Sequence, residues 1–125
     1  MQSAIDLNVL QRATGNDPDV ISEIIEDFVT YAQSGIFLVR TAVSQEDAKE
    51  LGITIHRLKG SASLVGAYGL LDTLKQVEAA ADATDWPTAR QLVPDLHGLM
   101  KHIEEAAAAL TDNRSTILEV APPHG

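Results

Sequence analysis

The chain has 125 residues, enough for one domain with a single core, and carries 9 Lys+Arg against 18 Asp+Glu, a net charge of −9. That balance excludes nucleic acid and anionic membrane surfaces as partners, because both would repel it. The absence of cysteine excludes disulfides, thiolate metal sites and Cys nucleophiles, and no apolar run reaches the length of a membrane span. An aromatic share of 4% within an apolar share of 45% suits close-packed helices rich in Leu, Ile, Val and Ala.

A short opening helix is expected around 5–14, broken by Gly15-Asn16. Asp17 then serves as N-cap with Pro18 at the first helical position, where its missing N–H costs nothing. The helix it starts should reach about Val43, burying Ile21, Ile24, Phe28, Ala32, Gly35 and Val39. Ser44-Gln45-Glu46-Asp47 resembles a capping box and starts the next helix, expected to reach about Val65 with Gly66 as a left-handed cap. A further helix is predicted over 68–84, with Leu70, Leu71, Leu74, Val77 and Ala81 apolar. Asp85-Trp86-Pro87 caps the last, which should run to about Leu110 with Ala89, Leu92, Val93, Leu96, Met100, Ile103 and Ala107 inward. Connections this short force neighbouring helices antiparallel. The predicted fold is all-α: an up-and-down four-helix bundle over residues 1–110, with the short N-terminal helix capping one end. Residues 111–125 lose the period and end in Pro-Pro-His-Gly, so they are expected to form a flexible tail.

The stretch 55–63, IHRLKGSAS, raises the functional question. His56 has no second histidine at metal-ligand spacing and no nucleophile beside it, so neither a zinc site nor a hydrolase triad is offered. On its helix Leu51, Ile55, Leu58, Ala62 and Val65 are spaced 4, 3, 4 and 3 apart, which is a bundle seam. At about 100° per residue His56 lies roughly 140° from the centre of that seam and faces outward. Lys49, Gly52, Ile53, Lys59, Gly60 and Ser63 fall within about 60° of it.

This face combines features that a fold alone would not select. Two mid-helix glycines cost about 1 kcal/mol each relative to alanine, and two lysines stand together on an acidic chain. Ile53 is apolar where nothing in the chain can bury it. An exposed neutral imidazole is a nucleophile, and a phosphoryl group on it would add about two negative charges that a lysine one turn away could partly neutralise. Glycine at i+4 removes the side chain that would crowd that group. His56, Lys59 and Gly60 thus read as a phosphoryl-acceptor site needing no bound metal. Close helix crossing at Gly52 and Gly60 is the competing explanation of the glycines. His97 and His102 are five apart, poorly placed for one metal, and His124 stands in the tail.

HRLKGSASLVGAYGLLDTLKQVEAAA resembles the signature of histidine-containing phosphotransfer (HPt) domains, relay modules of bacterial two-component phosphorelays. His56, Leu58, Lys59, Gly60, Ser61, Gly66, Ala67, Leu70 and Glu78 stand at the places of the family pattern, and the likeness covers about 4–109. Ala62 departs from it, standing where a second Ser is common. The resemblance implies a shuttle: His56 accepts a phosphoryl group from a receiver-domain aspartate and passes it to another. Lys59 would stabilise the phosphate and Gly60 give access, with Ser63 and Glu78 near the site and Lys49, Gly52, Ile53 and Arg57 meeting the receiver. No metal or cofactor is expected on this domain, since magnesium belongs to the receiver's acidic pocket. The domain is not an enzyme on its own; were it cut from a hybrid sensor, the parent would be a protein histidine kinase. Expected partners are receiver domains of response regulators or of a hybrid kinase, met in the cytoplasm by a monomer without nucleic acid or membrane contact. The alternative is a bundle that docks receivers without being phosphorylated.

Overall fold

The computed structural model describes residues 4–120, with side chains for residues 4–110. Those residues form five helices and no strand: α1 Leu7–Thr14, α2 Pro18–Gln45, α3 Ala48–Leu64, α4 Tyr68–Asp82 and α5 Trp86–Val120. α2 packs on α3 and α5, and α4 packs on α3 and α5, which closes a four-helix bundle. The core is aliphatic, with Ile25, Val39, Leu51, Ile55, Leu58, Leu70, Leu74, Leu96 and Ile103 almost wholly buried. Such side chains fill the seam between helices in ordinary rotamers without needing polar partners.

Each helix start has a side-chain cap, except that of α4. Asp6 accepts from Asn8 N–H, Asp17 from Asp19 and Val20, and Asp47 from Glu50. The cap of α3 is therefore Asp47 alone, not a box opened by Ser44. α2 runs on through Gln45, and Glu46 then takes a left-handed conformation at φ 55°, leaving room for only one further residue before α3. At the far end of α3, Gly66 is left-handed at φ 67°, as its position predicted. The Asp6 N–H donates to the Val65 carbonyl there, which ties the entry to α1 against the α3–α4 turn. Ile5 and Leu10 are buried beside it, so α1 caps this end of the bundle.

Two expectations need correction. Of the adjacent pair on α2, Ile25 is the buried isoleucine, while Ile24 is half-buried at the edge facing α3. The helix is rotated slightly from the expected stripe because Ile36 and Val43 are drawn into the core as well. The last helix does not stop at Leu110 but continues to Val120. No Gly or Pro stands between Leu110 and Ala121, and loss of an apolar period removes packing without breaking the hydrogen-bond ladder. Residues 111–120 of the expected tail are thus helical, and 121–125 lie outside the described residues.

Candidate functional site

α3 buries Leu51, Thr54, Ile55, Leu58 and Ala62 between α2 and α4. The opposite side of the same helix is left to solvent, and it carries His56, Arg57, Gly60 and Ser63, all exposed. No hydrogen bond or ion pair to another described residue engages His56. The imidazole is held only through its helix, which is itself locked by the buried seam on its other side.

Gly52 and Gly60 flank His56 one turn before and one turn after. A β-carbon built on either would meet nothing within 4 Å. The close-crossing explanation of these glycines therefore fails: neither lies against another helix. The close approach is made instead by Gly35 of α2, where a β-carbon would stand 2.5 Å from Leu58 Cδ2.

The side of the site facing α4 is polar. Lys59 Nζ donates to Glu78 Oε1 at 2.9 Å, joining α3 to α4 across 19 residues of sequence. Both side chains are about two-thirds buried, with 28% and 32% exposed. The family resemblance put Glu78 near the site, but not the ion pair, because no local rule couples residues so far apart.

The side facing α2 is apolar, and the sequence reading missed most of it. Ile53, Arg57, Gly60 and Leu64 form a row spaced 4, 3 and 4 along α3, with Ile53 41% and Leu64 48% exposed. Leu64 also lines a groove of about 640 Å³ between α3 and α2, together with Ile24, Phe28, Tyr31, Ser61 and Val65. Tyr31 is exposed, and Leu38, seven residues later on the same side of α2, is exposed as well. Lys49, Gly52, Ile53, His56 and Arg57 border a second, shallow depression at the start of α3. Periodicity alone could have flagged Tyr31 and Leu38, since both break the polar pattern expected off the seam.

His97 and His102 are exposed on α5, and His102 Nδ1 lies 3.4 Å from Glu105 Oε1. Neither is brought to His56. Among the described residues no group of three His, Cys, Asp or Glu side chains converges as metal ligands would. No helix among them is long and apolar enough to cross a membrane.

An antiparallel bundle that turns His56 outward, with a lysine and a glycine on the following turn, suits a protein of the histidine phosphotransfer class. The chain belongs to the Hpt domain family, whose model matches residues 23–113. As an Hpt domain it is a histidine phosphotransfer module of phosphorelays. The Virulence sensor protein BvgS of Bordetella parapertussis is 26% identical over 112 residues, covering 90% of this chain and 9% of that protein. BvgS of Bordetella pertussis is 26% identical over 109 residues, covering 87% of this chain and 8% of that protein. The chain thus spans less than a tenth of the curated relatives it matches. Among solved structures, histidine-containing phosphotransfer protein B (HptB) from Pseudomonas aeruginosa PAO1 shares the fold, with a TM-score of 0.77 at 21% identity. That likeness covers 93% of this chain and 98% of HptB.

Proposed function

We propose that His56 is the phosphoacceptor, taking a phosphoryl group from an aspartyl phosphate on one receiver domain and giving it to an aspartate on another. The observation that carries this reading is an exposed imidazole on a rigid helix, with open space over Gly60 and a lysine one turn away. In the forward step an unprotonated ring nitrogen of His56 attacks phosphorus. The N–P bond forms, the acyl O–P bond breaks, and the receiver's carboxylate leaves. The second transfer runs the same step in reverse on a different carboxylate. A helix face without a general base suits this chemistry, because the leaving carboxylate needs no proton.

The receiver supplies the magnesium that such acyl phosphates require, and its acidic pocket meets Lys49 and Arg57 through charge complementarity. Ile53, Gly52 and Gly60, extended by Leu64, Tyr31 and Leu38, provide the apolar part of the docking surface. Ser63 stands one turn beyond Gly60 at the border of the site. Phosphorelay partners of this kind place the domain in the cytoplasm, and any kinase activity of a longer parent chain would reside in other domains.

The test is to incubate the protein with a phosphorylated receiver. Wild type should gain acid-labile label, and His56→Gln should gain none while unfolding at nearly the same temperature. Label retained in His56→Gln, or label stable to acid, would overturn the assignment. Receiver binding without any label on wild type would leave the domain as a docking bundle.

A further inference from the structure

Lys59 does not stand free beside His56. Its ammonium is 2.9 Å from the Glu78 carboxylate, and both groups are about two-thirds withdrawn from water, where charge interactions are stronger than on an open surface. Taken together the two side chains carry no net charge. A phosphoryl group arriving on His56 brings about two negative charges and so meets an ion pair in place of a free cation. To use the ammonium, it must draw Lys59 away from Glu78 or share it. In either case the phosphoryl group and the Glu78 carboxylate compete for one ammonium, and two like charges drawn towards it disfavour each other. The exposed charges one turn to either side of Glu78 on α4, Lys75 and Asp82, are opposite in sign and offset one another.

We propose that Glu78 is a positioning residue that lowers the affinity of His56 for the phosphoryl group, so that the group is held weakly and readily passed on. The inference rests on His56 being the acceptor. Glu78 acts through Lys59 and through its own charge, without touching the reacting nitrogen. A mere strut between α3 and α4 would behave differently, because a Gln at 78 would keep a hydrogen bond to Lys59 and lose only the charge.

The experiment needs no receiver. Potassium phosphoramidate phosphorylates histidine directly: the imidazole N–P bond forms, the donor's P–N bond breaks, and ammonia leaves. With ¹⁵N-labelled imidazoles, NMR gives the phosphorylated fraction at each histidine, and exposed His97 and His102 serve as references in the same molecule. Glu78→Gln is expected to raise the ratio of phosphorylated to free His56 by about three- to tenfold at a fixed donor concentration. The ratios at His97 and His102 should not move. Lys59→Ala should lower the His56 ratio, and Lys59→Ala combined with Glu78→Gln should recover part of that loss. Thermal unfolding of each variant verifies that the bundle is intact. Label on wild-type His56 with an equal or lower ratio in Glu78→Gln overturns this inference alone. Label on His97 and His102 with none on wild-type His56 overturns the acceptor assignment, and this inference with it.

Discussion

Gly35 of α2 lies directly against Leu58 of α3: a β-carbon at position 35 would come within 2.5 Å of Leu58 Cδ2, 2.8 Å of Cγ and 2.9 Å of Cδ1. Leu58 is buried and stands two residues after His56. The contact therefore sets how closely α3 approaches α2 at the height of the site, and keeps the opposite face of α3 outward. Gly35→Ala should destabilise the fold by about 1–3 kcal/mol, since Leu58 must leave its rotamer or the helices must part. Chemical denaturation with an unchanged slope would verify it, and a variant as stable as wild type would mean the helices separate at little cost.

Gly52 and Gly60 should respond in the opposite direction. With nothing within 4 Å of either, alanine adds helix propensity and meets no neighbour. Gly52→Ala and Gly60→Ala are each expected to stabilise the domain by about 0.5–1 kcal/mol. Gly60→Gln should leave the fold intact and yet slow phosphoryl uptake from a receiver, because its side chain fills the space beside His56. Wild-type transfer rates in Gly60→Gln would show that the open space serves no partner.

The exposed row on the α2 side makes a prediction about docking. Burying an isoleucine or leucine side chain is worth about 1.5–3 kcal/mol, so Ile53→Asp or Leu64→Asp should weaken receiver binding by tenfold or more. Both residues are more than a third exposed, and folding should change little. Amide shifts on adding a receiver should cluster at 49–64 and around Tyr31 and Leu38. Shifts confined to α5 around His97 and His102 would place the partner elsewhere.

Acid should loosen the start of α5. The Thr88 hydroxyl donates to Asp85 Oδ2 at 2.6 Å and the Thr88 N–H to Oδ1 at 3.2 Å, and these bonds, the hydroxyl's first, hold the carboxyl below its ordinary range. A carboxylate depressed in the folded state contributes stability above its unfolded value of about 3.9, and that contribution is lost as pH falls through the folded value. Asp85→Ala should therefore lower the thermal midpoint at pH 7, and the gap to wild type should narrow below about pH 4. A gap that is constant with pH would mean that the cap acts through geometry alone.

The helices, their antiparallel order and the outward direction of His56 were all legible in the linear chain. Each depends on local rules: the 3.6-residue period, the aspartate cap before Pro18, and glycine at the one left-handed position after α3. The His56-Lys59-Gly60 spacing is likewise set within one turn of a single helix. The end of α5 misled because a missing apolar period was read as a missing helix, although nothing in 111–120 breaks the backbone ladder. Ile25 displaced Ile24 from the core because rotation of a helix by a fraction of a turn is decided by the neighbours it packs against. Folding alone joined Lys59 to Glu78, paired Tyr31 with Leu64 across a groove, and gave Gly35, not Gly52 or Gly60, the close contact. Those relationships hold residues 19 or more positions apart, where no helical period reaches and only the packing of one helix on another decides which side chains meet.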